Sequence, residues 1–200
     1  MENKKLMNTA NTLEVIAKVC AGILRVVGVV LIVFAILVLV LGEKMYDSST
    51  ISLDLDFVKL YLSEEYGQVT GLMQVYTVLG LLTVSVVCFA ACYGLKYLRK
   101  ILASMKVCRP FEAEIPACLQ KIAWVVLGCG ALVQVVGVIE SVLLVKIYPL
   151  EQILVSDAIE KIEYVNVVDF TFVIIFAILM LLSYIFAYGQ TLQRESDETL

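Results

Sequence analysis

Apolar residues fall along this chain in four long blocks separated by short polar stretches, unlike the shorter alternations of a soluble domain. A hydrocarbon core about 30 Å thick needs about 20 largely apolar residues in a helix that rises about 1.5 Å per residue. The blocks at 23–41, 73–97, 122–144 and 170–188 meet that length and predict four transmembrane helices. The first runs apolar from Val26 to Leu41, longer than the core of a signal peptide and with no Ala-x-Ala-like site behind it, so it reads as a mature helix. Upstream, Leu13, Ile16, Ala17, Cys20 and Leu24 recur at helical spacing and predict a helix over Asn11–Leu24 that lies along the interface. Between the first two blocks, Ile51, Leu53, Leu55 and Phe57 alternate with Ser52, Asp54 and Asp56, the period of a strand.

The architecture expected is an all-α integral membrane protein, with four transmembrane helices in two hairpins. Residues 1–200 form a single membrane domain with outer loops 42–72 and 145–169, an inner loop 98–121 and a tail 189–200. Sidedness follows from the basic residues, which membrane insertion retains in the cytoplasm. Lys4, Lys5, Lys18 and Arg25 precede or open the first span, Lys96, Arg99, Lys100, Lys106, Arg109 and Lys121 surround the inner loop, and Arg194 is in the tail. The other side has Lys44, Lys59, Lys146 and Lys161 alone, so the N-terminus, C-terminus and inner loop are predicted cytoplasmic. Trp124, Tyr93, Tyr97 and Tyr188 then fall near the inner interface and Tyr46, Tyr76 and Tyr148 near the outer one, as anchoring aromatics do.

Composition agrees and narrows the function classes. Apolar residues make up 61% of the chain and charged ones 17%, against about 45–50% and 25% in soluble domains. The net charge of −4 argues against direct nucleic-acid binding through a basic surface. Its acidic excess lies in the outer loops, among them Asp54, Asp56, Glu64, Glu65, Glu151 and Asp157. There is no histidine, which removes the commonest general base and metal ligand. The cysteines form no Cys-x-x-Cys pair, and none falls in an outer loop, which argues against structural disulfides and a disulfide-forming enzyme. No catalytic residue, metal site or cofactor is predicted, and the chain is expected not to be an enzyme.

Two features inside the membrane carry candidate chemistry. Ala123, Leu127, Gly130, Gln134, Gly137, Ser141 and Leu144 lie on one face of the third span, a seam expected to pack with Gln134 hydrogen-bonded across it. Glu140 is the acidic residue within a span, one turn from the outer end, where it either snorkels to the interface or couples to a proton or cation. Cys88 and Cys92 share a face with Ser85 and Thr77 and read as small packing residues.

The inner loop contains Cys108-Arg109-Pro110-Phe111 before span three. The tail reads Gly189-Gln190-Thr191-Leu192-Gln193-Arg194-Glu195-Ser196-Asp197-Glu198-Thr199. Together these resemble a family of bacterial four-span membrane proteins grouped as domain of unknown function 2975, with its Gly-x-Pro-Phe stretch and Gly-x-x-Leu-x-x-Glu-x-Asp-x-Thr ending. The matching positions are Pro110 and Phe111 in the loop and Gly189, Leu192, Glu195, Asp197 and Thr199 in the tail. Cys108 and Ile115 depart from the Gly and Asn of that pattern. The resemblance implies a multi-pass protein of the bacterial cell membrane, often encoded beside a small helix-turn-helix regulator.

The function expected is a non-enzymatic regulatory or sensory membrane component. Its cytoplasmic loop and tail would act on a soluble partner such as a helix-turn-helix transcription regulator. Loop and tail are expected to dock through Arg109, Lys106 or Lys121 meeting Glu195 and Asp197. The competing expectation is a small transporter or export/immunity component that uses Glu140 and Gln134 in a homo-oligomeric bundle. In either case the lipid bilayer is the first partner.

Overall fold

The four apolar blocks contain no proline, and in lipid a helix satisfies every backbone N–H and C=O within its own segment. The computed structural model, which describes residues 2–46, 52–55, 58–61, 70–106, 114–147 and 168–198, folds them accordingly. Helices α1 (Glu2–Tyr46), α2 (Thr70–Lys106), α3 (Glu114–Ile147) and α4 (Thr171–Glu198) are each long and apolar enough to cross a membrane. This is a multi-pass, predominantly helical protein.

The helical class is amended by one small element. Strands β1 (Ser52–Leu55) and β2 (Val58–Tyr61) form an antiparallel ribbon in which Ser52 pairs with Tyr61 and Leu55 with Val58. β1 occupies the alternating segment, while Ile51, Asp56 and Phe57 lie outside the described residues. Every helix also outruns its apolar block. α1 has 45 residues, about 68 Å at 1.5 Å per residue, far more than the bilayer requires. The segment Asn11–Leu24 is therefore part of α1 and not a separate surface helix, and Ala17 and Ala21 within it are buried.

The chain divides into two compact units. One comprises Met1–Gly28, Val86–Gln134 and Val168–Leu200, the other Val29–Ser85 and Val135–Val167. In the first unit, α1 and α2 meet through residues with little side chain. The Cys92 thiol donates to the Ala21 carbonyl oxygen at 3.3 Å, and a Cβ on Gly28 would lie 3.1 Å from the Phe89 ring and 3.5 Å from Cys88 Cβ. In the second unit, Ala35 and Val38 pack on Val78 and Leu81, and Gly42 faces Gln74. Ala21, Gly28, Ala35 and Gly42 thus recur on α1 at a spacing of seven, as do Val78, Ser85 and Cys92 on α2, and all seven are buried. A strict seven-residue repeat keeps one narrow stripe of a helix against its neighbour, and small residues on it let the backbones approach.

The first unit adds α3 and α4. α3 meets α2 where Gly94 lies against Val125. It meets α4 at three successive points: the Ser183 hydroxyl, fully buried, donates to the Pro116 carbonyl at 2.9 Å; Trp124 meets Phe176 edge-on at 5.3 Å; and Gly130 lies under Phe172. Pro116 falls in the first turn of α3, where its missing N–H costs the helix nothing.

The seam predicted on α3 is packed at its lower positions and open above. Ala123 is completely buried, and a methyl on Gly130 would overlap Cβ and Cγ of Phe172, whereas one on Gly137 would meet nothing within 4 Å. Replacing helical Gly by Ala gains about 1 kcal/mol of helix propensity, while overpacking costs about 1–3 kcal/mol. Gly137→Ala is therefore expected to raise the thermal unfolding midpoint in detergent, and Gly130→Ala to lower it. Equal responses would contradict the α3–α4 contact.

Candidate functional site

The seven-residue stripe continues past the small residues into charge. One step before Ala21 on α1 stands Glu14, and the two steps after Cys92 on α2 are Arg99 and Lys106. Lys106 Nζ donates to a Glu14 carboxylate oxygen and, at 2.8 Å, to Asn11 Oδ1. Arg99 places a terminal guanidinium nitrogen 4.0 Å from the other Glu14 oxygen, and Lys18, one turn further on α1, adds its field to the same carboxylate. Three cations thus share one acid. The chemistry of this cluster is attachment: the carboxylate ties α1 to α2, and the half-buried cations around it outnumber it.

A second polar group sits where α2 and α3 leave their apolar blocks. Tyr97 is buried, donates its hydroxyl proton to Tyr93 Oη at 2.6 Å, and stands edge-on to the Tyr93 ring with centroids 4.9 Å apart. The Lys121 ammonium lies 5.0 Å from the Tyr97 ring centroid, a cation–π contact. Lys100 reaches Glu114, in the first turn of α3, at 3.9 Å.

The sequence-derived candidates fall in separate places. Gln134 Nε2 donates at 3.0 Å to the carbonyl oxygen of Asp169, just ahead of α4. The partly exposed Glu140 lies beside Gly80, where an added Cβ would come within 3.1 Å of its Oε1. Gly189 and Leu192 lie on α4, which continues ten residues past Tyr188 without a break, and Arg194 pairs with Glu198 at 2.9 Å. Glu195 is exposed on the same stretch, which includes the backbone of Asp197. Pro110, Phe111 and Thr199 lie outside the described residues, as does Arg109. The partners of Lys106 are Asn11 and Glu14, and Lys121 sits over Tyr97, so these two lysines have contacts other than the tail acids assigned to them by sequence.

Asp169 caps the start of α4, a role that sequence reading passed over. One of its carboxylate oxygens accepts from both the backbone N–H of Thr171, at 2.8 Å, and the Thr171 hydroxyl. Its charge also sits at the positive end of α4. An Asp two residues ahead of a Thr that opens an apolar run is a legible helix-start signal. Among the described residues no group of three His, Cys, Asp or Glu side chains could hold a metal ion.

The two Thr171 donors, the hydroxyl first, hold the Asp169 carboxyl below its ordinary value of 3.8. A carboxyl lowered on folding contributes stability above its unfolded pKa, and that contribution is lost as the pH falls through the lower folded value. The first turn of α4 is therefore expected to remain protected from amide exchange at neutral pH and to fray in acid below the ordinary carboxylate range. Asp169→Asn should flatten that pH dependence; an unchanged profile would remove Asp169 from the cap. No protein-family model, curated protein or solved structure matches this chain.

Proposed function

We propose that this protein is a regulatory or sensory component of the bacterial cell membrane, with its four helices in two hairpins, both termini cytoplasmic, and a soluble regulator as its partner. The observation that carries this reading is the reach of α4 beyond its apolar block. Gly189–Glu198 adds about 15 Å of helix, at 1.5 Å per residue, outside the segment a bilayer needs. On it Leu192 remains 48% exposed among polar residues, with Glu195 one turn on, a common form for a short helix that docks a protein groove. The unit containing this helix also holds the N-terminal segment and both ends of the loop before α3, so the cationic Glu14 cluster and the tail belong to one body.

The likeness of the tail to domain of unknown function 2975 supports the same assignment, and the helix-turn-helix regulator is the partner it favours. A transport role has narrower support. Gln134 is engaged with Asp169, which leaves Glu140 beside Gly80 as its main candidate.

The test is transcriptional. In the native host, Leu192→Arg combined with Glu195→Lys, present in the membrane at the normal level, is expected to change the same transcripts in the same direction as deletion of the whole chain. A deletion that leaves transcripts unchanged, or a tail variant indistinguishable from the parent, would overturn the proposal. Glu140→Gln is expected to leave this readout unaltered.

A further inference from the structure

The paired tyrosines of α2 create an unusual donor arrangement at the membrane boundary. The Tyr93 and Tyr97 hydroxyls share one hydrogen bond of 2.6 Å, so one O–H proton of the pair is left to donate to a further acceptor. Tyr93 is 49% exposed, and the ammonium charges of Lys96 on α2 and Lys121 on α3 both act on its hydroxyl. Among the described residues, no carboxylate pairs with either lysine within 4.0 Å, and Glu114, at the start of α3, lies 3.9 Å from Lys100. One phenolic O–H and two ammonium groups, drawn from two helices, thus lie in one neighbourhood in which no carboxylate among the described residues pairs with either ammonium.

The surface beside them is apolar. Val86 and Phe89 precede Tyr93 on α2 at spacings of three and four, so the three residues share one face, and all are exposed. Trp124, one turn beyond Lys121 on α3, is 60% exposed, as a residue of the interfacial aromatic belt is. The polar cationic head therefore adjoins an exposed apolar stripe, in which Phe89 also lies against Gly28 of α1.

We infer that this site holds an anionic phospholipid, its phosphate received by the Tyr93 hydroxyl, Lys96 and Lys121 and one acyl chain lying along Phe89 and Val86. Charge complementarity selects the class. Hydrogen bonds from ammonium to phosphate are charge-assisted, whereas a zwitterionic head brings a quaternary or primary ammonium of its own into a site that already has two. A free phosphate would satisfy the donors but leave the apolar stripe unused. The site is independent of the tail and of any soluble partner.

Native mass spectrometry of the full chain, released from micelles containing equal phosphatidylglycerol and phosphatidylcholine, tests the inference. The parent is expected to retain phosphatidylglycerol preferentially. Each of Lys96→Gln and Lys121→Gln should reduce that preference about fivefold, the worth of one basic residue near an anionic surface. Tyr93→Phe should reduce it by a smaller factor, and Lys18→Gln should leave it unchanged. Helix content by circular dichroism identifies any variant that fails to fold, and Tyr93→Phe, which keeps the ring, then decides the matter. Equal retention of both lipids, an undiminished preference in the folded variants, or displacement of the lipid by millimolar inorganic phosphate would overturn the assignment.

Discussion

In a bilayer, two apolar helices gain almost nothing by covering each other's leucines, because acyl chains solvate those side chains equally well. What remains is dispersion between closely approaching backbones and the few hydrogen bonds that closeness allows. α1 meets this constraint by placing Ala21, Gly28, Ala35 and Gly42 along one stripe, and α2 by placing Ser85 and Cys92 along its own. The Cys92 thiol reaching the Ala21 carbonyl shows how near the backbones come. The large side chains are displaced to the other faces, which is why Val26, Val30, Ile36 and Val40 are all more than half exposed.

A seam of small residues is permissive about register, since alanine and glycine at regular intervals offer similar surfaces at every step. Charge supplies the discrimination. With Glu14 between Arg99 and Lys106, a slide by one repeat toward Cys92 would part the carboxylate from Lys106. A solvent-exposed ion pair contributes little stability, yet a polar group at one seam position specifies alignment even so. The same alignment brings the lower ends of α2 and α3 together, where the tyrosine pair meets Lys121, and α3 in turn carries α4 through Gly130, Trp124 and Pro116. The tail thus inherits its position from contacts that begin at the seam.

Much of this could be read from the chain. The four spans were legible because lipid imposes a length that apolar blocks either meet or miss. The strand β1 was legible from its alternation, but β2 was not, since Val58-Lys59-Leu60-Tyr61 contains a single polar residue. The α1–α2 stripe is visible once a period of seven is counted, whereas spacings of three and four on α3 direct attention to a seam that packs only in part. Nothing local tied Glu14 to Lys106, 92 residues away, or Gln134 to a backbone carbonyl 35 residues on. Such partners are set by which helices adjoin, and basic residues read as markers of sidedness conceal the specific pairs among them.

The close approach of α1 to α2 is the claim on which these relations depend, and it can be measured as a bond. In a chain retaining Cys88 as its sole native cysteine, Gly28→Cys would place its Cβ 3.5 Å from that of Cys88, within the roughly 3.5–4.5 Å that a disulfide spans. Gly22→Cys, at a position where an added Cβ meets nothing within 4 Å, is the control. Mild oxidation in intact membranes is expected to close an intramolecular disulfide in the Gly28→Cys chain and not in the control. Failure of Gly28→Cys to link, or equal linking by both, would contradict the seam.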